Sequence, residues 1–142
     1  MLSIQISDIK DFMSHLLSKD TFDHFYFIEA SIKMGVSYQI QGRINEGFYD
    51  TSVEQTLNRE FCYWKEIRHR IFDIIKGKRL PLSCKIVLGL SKQSISYLIA
   101  HNNSSFREED IEGIYVNILY DPKNLLITTG ISYKNFSLDR KS

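Results

Sequence analysis

The pattern of apolar and polar residues in the first third of the chain predicts a strand, a helix and a hairpin. Residues 2–6 place Leu2, Ile4 and Ile6 at every second position, which predicts a strand with one buried face. Ser7 is the expected N-cap of a helix over residues 8–18, whose apolar residues recur at helical spacing. Strict alternation then predicts two antiparallel strands, residues 26–34 and 36–44, with one apolar face made of Tyr26, Ile28, Ala30, Ile32 and Met34.

The rest of the chain predicts a central helix followed by a second set of elements. The central helix carries its apolar residues on one face: Trp64, Ile67, Ile71, Ile74 and Ile75. Gly77 and Pro81 are expected to end this helix. Residues 85–90 form an apolar strand, and Ser91 is the expected N-cap of the next helix. A hairpin follows, with strands over residues 114–120 and 125–133.

These elements predict one α+β domain over residues 1–142, an antiparallel sheet with three main helices. The order β-α-β-β occurs twice, over residues 1–44 and 84–134, with a helical connection over residues 45–83. This repeated order predicts a pseudo-two-fold pair of units. The inward positions of each element give the expected core: Ile4, Ile6, Phe12, Leu16, Ile28, Ile40, Ile71, Ile75, Val87, Leu98, Val116, Ile118 and Ile127.

The composition is that of a typical folded globular protein. Hydrophobic residues make up 43% and charged residues 25% of the 142 residues, and the formal net charge is only +1. The start of the chain lacks the pattern of a secretory signal, and no apolar run is long enough for a membrane span. We therefore expect a cytoplasmic protein without a membrane partner, in which Cys62 and Cys84 are reduced, buried thiols.

No residue pattern indicates catalysis or a cofactor. The four histidines lack the spacing of metal ligands, and the chain has no nucleophile motif and no phosphate-binding glycine loop. Neighbouring acids such as Glu108, Glu109 and Asp110 suit a solvated surface better than paired-carboxylate chemistry. The sequence predicts no catalytic residue, no cofactor and no metal, and an enzyme with an unrecognised site stays as an alternative.

A basic segment is the main functional signal. Residues 64–79 contain six Lys and Arg residues against Glu66 and Asp73, a net charge of +4. Such a cluster predicts a non-catalytic binding module for an anionic partner, either nucleic acid or an acidic protein. The competing interpretation is a solvated helix face. The predicted binding residues are Lys65, Arg68, His69, Lys76, Lys78 and Arg79.

A different function is also compatible with the sequence. The hairpin faces and exposed sheet edges suit a protein–protein adaptor or a homo-oligomer. Aromatic residues on both faces of the first hairpin, Phe25 and Phe27 opposite Tyr26, favour this alternative.

Three segments carry a resemblance to a known family: Trp64-Lys65-Glu66-Ile67-Arg68, the run from Ile75 to Ser83, and Thr128-Thr129-Gly130. Over nearly its whole length the chain resembles domain of unknown function family 5721, small bacterial proteins of Gram-positive anaerobes. The family has no assigned activity, so the resemblance implies no catalytic residue.

A second resemblance concerns the fold alone. The order of elements is similar to one domain of the DNA sliding clamps, which is built from two β-α-β-β-β units. Clamp helices that face DNA are basic, whereas the outer face of helix 8–18 mixes Asp8, Lys10, Asp11 and His15.

Overall fold

A computed structural model gives the fold of the chain. It describes residues 2–49, 59–101 and 111–133, with side chains left out for residues 97–99 and 101. The described strands are β1 (Ser3–Gln5), β2 (Tyr26–Lys33), β3 (Ser37–Gln41), β4 (Ser83–Gly89), β5 (Ile111–Asp121) and β6 (Asn124–Tyr133). The described helices are α1 (Ile9–Leu17), α2 (Trp64–Ile75) and α3 (Lys92–His101).

The strands form one antiparallel sheet in the order β1-β6-β5-β4-β2-β3. This arrangement confirms the predicted α+β fold with its two hairpins. The turn of the second hairpin is fixed by Asp121, whose Oδ1 accepts the backbone N–H groups of Lys123 (2.8 Å) and Asn124 (2.9 Å). An aspartate side chain that accepts amides two and three residues later is a common way to close a tight turn.

The predicted pseudo-two-fold pair, and with it the clamp-like arrangement, is not confirmed. In the second unit β4 lies directly beside β5, whereas β1 of the first unit lies beside β6 and four positions from β2. Backbone bonds join the N-terminal segment to the second hairpin: Ile6 N donates to Leu125 O (2.8 Å), and Thr129 N donates to Leu2 O (2.9 Å). The two units therefore differ in strand order.

The helices also lie on different faces of the sheet. Leu16 of α1 and Trp64 of α2 belong to the core cluster with Leu88 of β4. Successive residues of a strand point to opposite faces, so Gly89 faces away from that cluster. Ile95 of α3 lines a cavity together with Gly89, which places α3 on the second face.

The core lies between the first face of the sheet and the helices α1 and α2. Its largest fully buried side chains are Trp64, Phe27, Leu16, Ile32, Ile71, Ile86, Leu88, Ile118 and Leu125. Among the predicted core residues, four are buried: Leu16, Ile71, Val87 and Ile118. Seven others are half-buried: Ile6, Phe12, Ile28, Ile40, Ile75, Val116 and Ile127. Leu98 lies outside the described side chains.

Two core predictions were wrong for identifiable reasons. The register of β2 against β4 shifts between Phe27 and Glu29, so Ile28 is an extra residue in the ladder. This bulge places Phe27, rather than Ile28, on the buried face. Ile4 is 46% exposed because it sits on the three-residue edge strand β1. The expected N-cap of α1 was also wrong, since Asp8 caps the helix by accepting the N–H of Asp11 (3.0 Å).

Burial predicts a large difference between two isoleucines of the same sheet face. Ile118 is 1% exposed and Ile4 is 46% exposed. Ile118→Ala should lower the free energy of unfolding by about 2–5 kcal/mol, whereas Ile4→Ala should lower it by less than about 1 kcal/mol. Urea unfolding followed by circular dichroism measures both. Equal losses for the two variants would contradict this account of the core.

Candidate functional site

Helix α2, which carries three of the six predicted binding residues (Lys65, Arg68 and His69), is firmly anchored to the rest of the fold. Trp64 is fully buried at its first position, and the indole Nε1–H donates to the backbone oxygen of Leu16 (2.8 Å). The Glu66 carboxylate accepts the backbone N–H of Tyr63 (2.8 Å) and pairs with Arg59 (2.9 Å). These contacts give α2 a fixed orientation, so its outer face is a defined surface.

Arg68, predicted as a surface binding residue, is buried in an ion pair. Its Nε and Nη2 donate to Oδ1 and Oδ2 of Asp23 at 2.8 and 3.1 Å, and its Nη1 donates to Leu17 O at 3.3 Å. Both residues are less than one-tenth exposed. The prediction was wrong because Arg68 lies four residues after Trp64 and three before Ile71, on the buried face of the helix. Its charge is neutralised inside the protein.

The other five predicted residues are exposed and form what we call the basic strip: Lys65, His69, Lys76, Lys78 and Arg79. At about 100° per residue, Lys65, His69 and Lys76 (the residue that follows α2) lie within about 40° of one another along one side of the helix, beside its buried face. Lys78 and Arg79 follow Gly77, whose φ of +149° turns the chain where the helix ends.

Most of the positive charge of the basic strip is not balanced nearby. Lys76 pairs with Asp73 at 3.2 Å, and both side chains are more than half exposed. Within the described part of the chain, no carboxylate forms an ion pair with Lys65, Lys78 or Arg79. Exposed cations without partners can exchange water for the oxygens of a phosphate or carboxylate at small cost.

A cavity of about 420 Å³ with both polar and apolar lining residues lies on the second face of the sheet, beside the start of α3. Its charged and aromatic lining includes Arg59, Glu60, Lys92, Glu112 and Tyr115. Burial raises the pKa of Tyr115, and the nearby carboxylates of Glu112 and Glu60 raise it further. The sequence analysis missed this cavity because its residues come from separate segments and share no motif.

The charges around the cavity are largely satisfied within the protein. Arg59 pairs with Glu66, and Glu60 pairs with Arg43. A serine hydroxyl, Ser132 Oγ, donates to Glu112 at 3.1 Å. The cavity therefore mixes both signs of charge and does not indicate one class of ligand.

Three further findings for the described residues concern the Cys84 thiol, groups of metal ligands and membrane-spanning helices. Burial raises the pKa of the Cys84 thiol to about 12, which keeps it in the neutral and unreactive form. The described residues contain no group of three or more His, Cys, Asp or Glu side chains placed to hold a metal ion. In the same residues, no helix is long and apolar enough to cross a membrane.

Comparison with known proteins places the chain in a family. The model of a family of unknown function, DUF5721, matches residues 15–142. No curated protein and no solved structure matches the chain.

Proposed function

We propose a binding function for this chain, which belongs to the family of unknown function DUF5721 over residues 15–142. In this proposal the protein is a non-catalytic module whose basic strip binds an anionic partner, and the preferred partner is nucleic acid. The observation that carries the proposal is the set of exposed cations that form no ion pair with a carboxylate among the described residues, Lys65, Lys78 and Arg79. Since the whole chain has a net charge of only +1, this positive surface is local.

The length of the basic strip suits a phosphate backbone. Lys65 near the start of α2 and Lys76 just after its end are eleven residues apart, a distance of roughly 16 Å along the axis at about 1.5 Å per residue. One strand of DNA presents a phosphate about every 3.4 Å, so this length spans roughly five phosphates. The flexible lysine side chains can each reach a phosphate, and contacts to phosphates carry no sequence information. The expected binding is thus independent of sequence.

The two free cysteines support a cytoplasmic setting for this activity. Cys62 and Cys84 are not joined in a disulfide. Free thiols are typical of proteins in a reducing compartment.

Removing the unpaired charges of the basic strip should weaken nucleic-acid binding. In the variant Lys65→Gln, Lys78→Gln, Arg79→Gln, three cations that release counterions on binding are lost. Affinity for a labelled oligonucleotide at low salt should fall roughly tenfold or more. Fluorescence anisotropy measures the affinity. The thermal midpoint should hardly change, because exposed charges without partners contribute little to stability.

A control variant that loses the same number of positive charges elsewhere distinguishes an effect of the basic strip from an effect of the net charge of the protein. Lys10→Gln, Lys92→Gln, Lys123→Gln removes three exposed cations from α1, α3 and the turn between β5 and β6. This control should retain most of the affinity. Equal losses in the two triple variants, or no binding by the unmodified protein at low salt, would contradict the proposed site.

An acidic protein is the second candidate partner, favoured by apolar residues close to the basic strip. Leu80 and Leu82 are 66% and 69% exposed, and Leu82 N donates to Lys33 O (2.8 Å) beside the end of β2. Val36, in the turn after β2, is 66% exposed. A partner that combines acidic and apolar side chains would bury these residues. Its affinity would depend on Leu80 and Leu82 and would resist added salt better than phosphate binding does.

A further inference from the structure

Strand β3 forms one edge of the sheet that the described residues build. In the described part of the chain it pairs with β2 alone. Exposed edge strands are usually blunted by lysine, proline, a bulge or short length. Residues 37–41 contain no charged residue and no proline, and their register against β2 is unbroken. The opposite edge, β1, has only three residues.

The hydrogen-bonding groups of β3 that face outward can be assigned from the ladder. Gly42 N donates to Ile28 O (2.8 Å), and Met34 N donates to Val36 O (3.1 Å). Because hydrogen-bonded pairs alternate along an antiparallel ladder, the even-numbered residues of β3 bond to β2. The odd-numbered residues, Ser37, Gln39 and Gln41, turn their N–H and C=O groups away from the sheet.

We infer that β3 pairs with β3 of a second copy of this chain, antiparallel and centred on Gln39. In this register Gln39 faces Gln39 of the second copy, and Ser37 faces Gln41. All three outward-facing residues of one copy then meet outward-facing residues of the other, so the backbone groups are satisfied in reciprocal pairs. The two sheets become one continuous sheet.

The side chains of β3 are also complementary to themselves in this register. Tyr38, which is 38% exposed, lies opposite the half-buried Ile40 of the second copy, an aromatic–aliphatic cross-strand pair that occurs twice by symmetry. On the other face the pairs are polar and uncharged. Since no like charges meet across the axis, a second copy fits this edge without electrostatic repulsion.

Charge complementation at Gln39 tests both the dimer and its register. Gln39 lies opposite Gln39 of the second copy only if the two-fold axis of the dimer passes between these two residues. In that register, Gln39→Lys and Gln39→Glu each place two like charges opposite one another. Either variant alone should raise the dimer dissociation constant about two- to fivefold, and an equimolar mixture should form heterodimers about three- to tenfold tighter than either. Sedimentation velocity over a concentration series measures the constants, and native mass spectrometry identifies the heterodimer. The same pair of substitutions at Ser3, an exposed residue on β1, is the matched control and should change nothing.

A second variant tests the backbone pairing directly. Gln39→Pro removes an N–H that faces away from β2, so the ladder inside each copy loses no bond. The reciprocal hydrogen bonds at the axis are lost, and the dissociation constant should rise at least about tenfold. The inference is overturned by a protein that stays monomeric at every concentration. It is equally overturned by a dimer that is indifferent to Gln39→Pro or whose Lys and Glu variants do not pair preferentially.

Discussion

Replacing Arg68 with alanine should lower the free energy of unfolding by about 3–5 kcal/mol, although it removes a charged residue from a helix. The guanidinium makes two bonds to the Asp23 carboxylate, at 2.8 and 3.1 Å, with both side chains no more than 10% exposed. Alanine would leave that carboxylate buried without a cation, and the desolvation of an unpaired charge is costly. The Leu17 carbonyl would also lose a donor.

The control for this prediction is two residues further along the same helix. Arg70 is exposed, and Arg70→Ala should change stability by no more than about 0.5 kcal/mol. A double variant, Asp23→Ala with Arg68→Ala, should lose much less than the sum of the two single variants, because neither charge is left alone. Urea unfolding measures the four variants (Arg68→Ala, Asp23→Ala, the double variant and Arg70→Ala) and the unmodified protein. A loss below about 1 kcal/mol for Arg68→Ala would show that the ion pair is not buried as described.

Trp64→Ala should cause a loss of similar size, about 3–5 kcal/mol, for a different physical reason. Trp64 is fully buried, and its ring centroid lies 5.8 Å from that of Phe27. Alanine would leave a cavity between α2 and β2. Trp64→Phe retains an aromatic ring but removes the bond from Nε1 to Leu16 O, and should cost about 1–3 kcal/mol. An alanine variant as stable as the phenylalanine variant would contradict the packing described for this residue.

The hairpins were predictable from the sequence because their alternation is local and long. In β5 and β6 the polar turn at Asp121 fixes the register, and nine pairs of residues, from Asp121 with Asn124 to Gly113 with Ser132, follow from it. The bulge at Ile28 was not predictable, since it turns Phe27 toward the core at the start of β2 while Ala30 and Ile32 keep the face that the alternation predicts. The position of β1 beside β6 depends on contacts between the two ends of the chain, which local patterns do not encode.

The candidate site was predictable in part. Counting cations located the basic segment, and five of its six predicted residues are on the surface. The error at Arg68 could have been avoided by its spacing from Trp64 and Ile71, which places it within the apolar stripe of the helix. Its partner Asp23 could not have been found, because it lies 45 residues earlier in the chain.

The dependence of binding on salt tests the central proposal most directly. For duplex DNA, the slope of log K against log salt concentration is about −0.9 for each phosphate that is neutralised. If the basic strip binds phosphates, removal of Lys65, Lys78 and Arg79 should make the slope shallower by about two to three, while the Lys10, Lys92 and Lys123 control should retain the original slope. Anisotropy of a labelled duplex across a salt series gives all three slopes. The same slope in all three proteins would contradict binding by the basic strip.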